Sequence, residues 1–125
     1  MNKGSYSFRV GRFECVVIHE GMSLTPDLSY RLTELYNPAN FGSMTDINLL
    51  LIKTGKQTIL CDTGLGSMDP DCGNMIPNLN QLGIENGQID IVILSHRHGD
   101  HIGVIMDSKG SPVFPNASYI MLKEE

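Results

Sequence analysis

The sequence predicts a single α/β domain, in which short helices pack on a β-sheet. Its 125 residues are enough for one domain but not for two. A strongly apolar segment at Ile89–Leu94 has the length and composition of a strand that is covered on both faces. A short amphipathic helical segment precedes it, and a strand leads toward that helix through a polar turn. Strand, short helix and buried strand in this order indicate a layered α/β architecture.

The composition disfavours several classes of protein. Hydrophobic residues make up 41% of the chain and charged residues 18%, which is ordinary for a globular domain. The net charge of −5 suits neither nucleic-acid backbones nor anionic membranes, so we expect neither as a partner. The three cysteines form no CxxC pair, the first twenty residues lack the apolar core of a secretory signal, and no apolar run could cross a bilayer. We therefore expect a cytoplasmic protein.

The N-terminal third is predicted to contain two strands, a helix and a loop. Ser7–Ile18 alternates loosely between apolar and polar residues around Gly11, which is typical of two strands joined by a turn. Thr25 and Pro26 form a helix start signal. The leucines that follow share one helical face: Leu28, Leu32 and Leu35. Residues 37–43 are rich in Asn, Pro, Gly and Ser, and we expect a loop there.

The following segments predict a hairpin and a second short helix. Ile47–Ile52 and Gln57–Cys61 are apolar segments around a four-residue turn, which is the pattern of a β-hairpin. Pro77 suits the first turn of a helix and Gly83 suits the position just after its end. The apolar side chains of this helix share one face: Ile76, Leu79 and Leu82.

Three of the four histidines lie within one six-residue HxHxDH pattern, directly after the apolar segment that ends at Leu94. In an extended segment His96 and His98 project to the same side, because side chains alternate along a strand. Gly99 permits a sharp turn, after which Asp100 and His101 approach from a second direction. These residues form two incomplete metal-binding sites with nitrogen and oxygen ligands. Such ligands suit Zn²⁺ best, with Mn²⁺ or Fe as alternatives.

Asp62 is the next candidate residue, because it also follows a predicted strand. Ligands in open α/β sheets gather beyond the carboxyl ends of strands. One hypothesis is that the Asp62 carboxylate orients the imidazoles of the histidine pattern and the loop that carries them. The alternative is that Asp62 is only a turn former before Thr63 and Gly64. His19 lies outside the pattern and is interpreted as an ordinary polar residue.

These motifs resemble the metallo-β-lactamase fold superfamily, and the resemblance covers most of the chain from about residue 8. It rests on four segments: Asn48–Ile52, Ile59–Gly66, Leu82–Ile84 and Ile89–Gly103. The stretch Gly110–Tyr119 is similar to the lactonase and organophosphate-hydrolase branch. The resemblance implies a first metal on His96 and His98 and a second metal on Asp100 and His101. It also matches Asp62 to the family's buried aspartate at a strand end.

The resemblance implies that residues 1–125 are the amino-terminal half of one such domain. The expected fold is one half of a four-layer αβ/βα sandwich, with a mixed β-sheet and flanking helices. The family's remaining metal ligands, two histidines and a bridging aspartate, lie in the other half, and no histidine follows His101 here. The chain stops at Lys123–Glu125, just after the strand-like Tyr119–Leu122, so we expect a fragment.

The function implied by the resemblance is metal-dependent hydrolysis of a small molecule. Two zinc ions per complete domain would activate a water, and the resulting hydroxide would attack an ester, lactone or related bond. Asp100 would be the catalytic residue that holds one metal and orients this water. The alternative is a non-catalytic fragment or degenerate paralogue that binds metal weakly or pairs with another chain. For the isolated chain we expect no activity, and we expect self-association through an uncovered sheet face.

Overall fold

A computed structural model describes residues 4–24, 44–68 and 71–123 of the chain. In these residues six strands form one mixed sheet in the order β1-β2-β3-β4-β5-β6. The strands are β1 (Ser5–Val10), β2 (Phe13–Leu24), β3 (Met44–Lys53), β4 (Thr58–Cys61), β5 (Ile91–Leu94) and β6 (Ser118–Met121). The helices are α1 (Met75–Gln81) and the one-turn α2 (Gly99–Ile102). Short 3-10 turns lie at Gly66–Met68 and Asn86–Gln88.

The two predicted strand pairs and the second predicted helix are confirmed. β1 and β2 pair antiparallel around Gly11, whose positive φ of 59° suits a tight turn. β3 and β4 form the expected antiparallel hairpin. Pro77 lies in the first turn of α1, and Gly83 follows its end with a φ of 79°. The helix predicted from Thr25 and the loop predicted at 37–43 lie outside the described residues.

The core lies on one face of the sheet, beneath α1. The strand register aligns a row of buried side chains across four strands: Val16, Leu51, Leu60 and Val92. Met75 and Leu79 of α1 are fully buried against this row, and Phe114 is buried in the same cluster. Burying each such side chain contributes roughly 1.5–3 kcal/mol, so this face supplies most of the apolar stabilisation. No helix in the described ranges is long and apolar enough to cross a membrane.

The opposite face of the sheet, which we call the open face, is apolar but uncovered by any described element. The side chains exposed there lie on the two outer strands at each side of the sheet, β1 and β2 on one side and β5 and β6 on the other: Tyr6, Phe8, Val10, Phe13, Ile93 and Ile120. The prediction that the strand at Ile89–Leu94 is covered on both faces is therefore wrong for the described residues. Val92 is fully buried whereas Ile93 is 39% exposed, because the described helix α1 packs on only one face.

The sheet topology brings two candidate segments to one edge. β4 and β5 are parallel neighbours, and their last paired residues are Cys61 and Ile93. The segments that leave these strands therefore begin side by side, with Asp62 after β4 and Ser95 after β5. β2 and β3 extend past this edge. The last residue of β4, Cys61, pairs with Leu50 of the antiparallel β3, so the six residues of β3 before Leu50 continue beyond the end of β4. β2 pairs with β3 along this extension, as far as Leu24 and Met44.

Candidate metal centre

Asp62 leaves β4 with an unusual backbone conformation. Its φ of 65° is the only positive value among the non-glycine residues of the described part of the chain. Aspartate tolerates this left-handed region better than most residues, but the conformation still costs stability. The Asp62 amide donates to the Ile93 carbonyl at 2.8 Å, which continues the β4–β5 pairing by one residue. The turn directs the carboxylate toward residues 95–103, which we call the histidine loop.

The Asp62 carboxylate contacts two residues of the histidine loop, Ser95 and His101. One oxygen accepts a hydrogen bond from the Ser95 amide at 2.8 Å, and the other accepts from the Ser95 hydroxyl at 2.9 Å. This second oxygen also lies 2.9 Å from Nδ1 of His101. Burial raises the pKa of Asp62, but the hydrogen bonds from Ser95 and His101 outweigh burial and hold this pKa below its ordinary value. The carboxylate can therefore only accept, so Nδ1 of His101 carries the hydrogen.

The structure brings the three histidines of the pattern together. The ring centroids of His96 and His98 are 4.6 Å apart, and those of His96 and His101 are 3.9 Å apart. The backbone turns into α2 at Gly99, which carries His101 back toward His96. Asp100 lies in α2, but its side chain is outside the described part of the structure. Its roles as metal ligand and catalytic residue stay predictions.

Ser95 is a residue of this site that the sequence did not indicate. Its hydroxyl hydrogen points to Asp62, and the same oxygen lies 2.9 Å from Nδ1 of His96. Because that hydrogen is already donated, the hydroxyl accepts the Nδ1 hydrogen of His96. Ser95 and Asp62 thus fix the same tautomer in His96 and His101. A serine directly before the HxHxDH pattern was the available signal.

Thr63 is a second such residue, and it is fully buried. Its amide and its hydroxyl both donate to the His101 carbonyl, at 2.8 and 3.1 Å. The hydroxyl oxygen accepts from the Val104 amide at 3.0 Å. The neighbouring Gly64 carbonyl accepts from the Gly103 amide at 2.7 Å. The turn after β4, residues 63–66, is therefore joined to the histidine loop by three hydrogen bonds and to Val104, the next residue along the chain, by a fourth.

Glu20 is the third residue that the sequence did not indicate. It lies on β2, is completely buried, and accepts three backbone hydrogen bonds from the segment that follows β4. The only signal in the sequence is its position: Glu20 occupies the place where the apolar alternation of Val16 and Ile18 would put another buried residue, and Gly21 follows it.

His19 is not part of the histidine cluster. It pairs with Asp46 at 3.1 Å, and both side chains are more than a third exposed.

The chemistry of the clustered side chains fits a metal such as zinc, because imidazole nitrogens are among its preferred ligands. A carboxylate that accepts the second ring hydrogen of a ligand histidine is also typical of metal sites. Among the side chains that the structure describes, however, no group of three or more His, Cys, Asp or Glu is arranged to hold a metal ion by itself. The described residues thus supply suitable donors without closing a site.

Comparisons with known proteins agree with this geometry. A model of the metallo-beta-lactamase superfamily matches residues 44–120. The beta-lactamase-like protein 2 homolog of Caenorhabditis elegans is 32% identical over 87 residues, which cover 63% of this chain and 28% of that protein.

Solved structures give the same result over nearly the whole chain. AidC, a dizinc quorum-quenching lactonase solved with a product, superposes with a TM-score of 0.79 at 30% identity, over 93% of this chain and 44% of AidC. The hydrolase AbOPH superposes with a TM-score of 0.77 at 27% identity, over 95% of this chain and 44% of AbOPH. A probable metal-dependent hydrolase from Staphylococcus aureus shares the fold, with a TM-score of 0.73 at 19% identity. The chain thus spans less than half the length of AidC and AbOPH.

Proposed function

The chain belongs to the metallo-beta-lactamase superfamily, and from this premise we propose that it carries the N-terminal metal-binding half of a metal-dependent hydrolase. The observation that carries the proposal is the cluster of three imidazoles at the carboxyl edge of β4 and β5, with His101 held by Asp62. An exposed structural turn has no need for three imidazoles in contact or for a carboxylate that fixes one of them.

The proposed ligands follow the two halves of the histidine loop. His96 and His98 serve the first metal, and Asp100 and His101 serve the second, with two zinc ions in the complete domain. Bound there, zinc would supply an activated water near neutral pH and a Lewis acid for the bond to be cleaved. Zinc is favoured by the nitrogen donors, while Mn²⁺ or Fe are the alternatives.

The residues of this chain prepare the ligands. Asp62 and Ser95 each accept an Nδ1 hydrogen, from His101 and His96, so Nε2 is the nitrogen that each ring would present to a metal. Thr63 holds the His101 carbonyl through two hydrogen bonds, which fixes the backbone of α2. Asp100 is the residue that we propose to orient the attacking water.

The substrate class that we propose is a small lactone or another ester. Support comes from AidC, a lactonase that matches 93% of this chain at 30% identity. The proposal extends to a second half-domain, since the match spans 44% of AidC and the described residues do not close a metal site. That half would supply the missing ligands and cover the open face, so residues 1–125 alone would bind metal weakly and hydrolyse nothing.

The test measures zinc bound by the purified chain in equilibrium dialysis, at zinc concentrations high enough to load a weak site. We expect zinc in the unaltered chain and in a His19→Ala control, and loss of zinc in a His96→Ala, His98→Ala double variant. The control removes an imidazole outside the cluster, so it separates a specific site from adventitious binding. Equal zinc in all three chains would contradict the metal assignment. Zinc in a longer chain that restores the second half, without chelator-sensitive lactone or ester hydrolysis, would contradict the enzymatic part.

A further inference from the structure

The Glu20 carboxylate holds together two segments that are distant in sequence. One oxygen accepts from the Gly73 amide at 3.1 Å and from the Met75 amide at 2.9 Å, at the start of α1. The other oxygen accepts from the Gly66 amide at 2.9 Å, at the end of the turn 63–66. Three backbone donors satisfy this carboxylate in a fully buried position, where unpaired polar groups are costly.

The turn that Glu20 holds is the same turn that holds the histidine loop. Thr63 donates twice to the His101 carbonyl and accepts from Val104, and the Gly64 carbonyl accepts from Gly103. Hydrogen bonds therefore connect Glu20 on β2 to Gly66, and Thr63 and Gly64 to His101 and Gly103, with the backbone of the turn 63–66 as the link between the two sets.

Close packing leaves this path little freedom. Gly64 has a φ of 80°, and any side chain there would collide with the Glu20 carboxylate. A side chain at Gly103 would collide with the backbone carbonyls of Gly64 and Leu65. Because backbone meets backbone and carboxylate without intervening side chains, a displacement at Glu20 must move the turn, and the turn must move the histidine loop.

We propose that Glu20 is a positioning residue for the histidine loop. Its described side-chain contacts are backbone amides rather than the imidazoles, and it acts by fixing Gly66 and thereby the turn that carries Thr63 and Gly64. The relevance of this coupling to metal binding rests on the proposed function, whereas the coupling itself is a property of the fold.

The variant that isolates the coupling is Glu20→Gln. The amide oxygen of Gln can still accept from Gly73 and Met75, but its nitrogen is a donor and would face the Gly66 amide. The substitution therefore breaks the link to the turn while it can keep the link to α1. Ile18→Ala is the matched control, since Ile18 is fully buried on the same face of β2 and belongs to the apolar core rather than to this path.

The first readout is amide hydrogen exchange in the full chain. In Glu20→Gln we expect the Gly103 and Val104 amides to exchange about tenfold faster or more, relative to the amides of β3 and β4. Ile18→Ala should accelerate both sets alike, as a general loss of stability does. Acceleration in Glu20→Gln that is no greater at Gly103 and Val104 than in β3 and β4 would overturn the proposal.

The second readout is Co²⁺ affinity by absorbance titration, which should fall in Glu20→Gln more than in Ile18→Ala. If the unaltered chain binds no Co²⁺ but the selective exchange is observed, the coupling stands and the proposed function fails. If Glu20→Gln does not fold, Glu20→Asp serves as the milder variant. It keeps two accepting oxygens on a shorter side chain, and the same selective pattern is expected at smaller amplitude. Uniform exchange in that variant would equally overturn the proposal.

Discussion

Replacing Asp62 by Asn tests whether this carboxylate prepares His101 for metal binding. The side chains are nearly isosteric, and Asn also tolerates the positive φ of 65° at this position, so the backbone is preserved. The Asn oxygen can still accept from the Ser95 amide. The amide nitrogen, however, would replace the oxygen that lies 2.9 Å from Nδ1 of His101, and two donors would face each other.

The expected magnitude follows from that single lost contact. The Ser95 hydroxyl can rotate and accept from the new amide, so the bond to His101 is the one that has no substitute. A hydrogen bond to a charged group contributes about 1.5–3 kcal/mol, and the Asp62 and His101 side chains are only 17% and 28% exposed, so solvent weakens it little. We therefore expect metal affinity to fall by roughly 10–100-fold, the range typical of carboxylates that orient ligand histidines.

The assay is competition between the chain and a chelator for Co²⁺ or Zn²⁺, together with denaturant unfolding. Asp90→Asn is the matched control, because its carboxylate also accepts a backbone hydrogen bond, from Thr58 at 2.8 Å, but lies away from the histidine loop. Asp62→Ala should cost more stability than Asp62→Asn, since alanine is strained at positive φ. Unchanged metal affinity in Asp62→Asn, with Asp90→Asn behaving alike, would refute the reasoning.

Four further predictions concern the rest of the fold. Burial and the neighbouring Asp62 carboxylate raise the pKa of the Cys61 thiol, so Cys61 should react with iodoacetamide more slowly at pH 8 than a peptide thiol does. The same shift should lower stability as pH rises above about 9, and Cys61→Ser should remove this dependence. The isolated chain should self-associate or bind a hydrophobic dye through the open face, and Ile120→Lys should weaken both the association and the dye binding. A chain that stays monomeric and binds no dye would contradict this prediction. Gly103→Ala should lower the free energy of unfolding by about 1–3 kcal/mol, because the new methyl group would collide with the Gly64 and Leu65 carbonyls. An unchanged free energy of unfolding would contradict this, since it would mean that the turn moves aside without cost.

The parts of the structure that sequence predicts well are those set by local signals. Gly11 and the Lys53–Lys56 turn each separate two apolar segments, and both hairpins form as expected. Pro77 and Gly83 similarly mark the first turn of α1 and the position after its end. In each case the deciding residues lie within a few positions of the element that they define, so a single sequence contains the necessary information.

The parts that sequence misses depend on distant partners. Thr63 contacts His101 from 38 positions away, and Glu20 contacts the segment after β4 from 46 to 55 positions away. Nothing near either residue distinguishes it from an ordinary turn threonine or strand glutamate. The solvent exposure of Ile93 likewise depends on whether another layer packs on its face of the sheet. The apolar sequence of the strand is the same whether or not the described residues supply that layer.

The long sequence separations within the candidate site also order the steps of folding. The two hairpins close short loops, whereas the β4–β5 pairing and the contacts of Glu20 each require closure of a loop of about thirty residues or more, at a larger entropic cost. Asp62 and the histidine loop meet only after that closure. A chain in which only the hairpins have formed would thus offer a metal no preorganised site, and any metal that binds would select the fully closed fold.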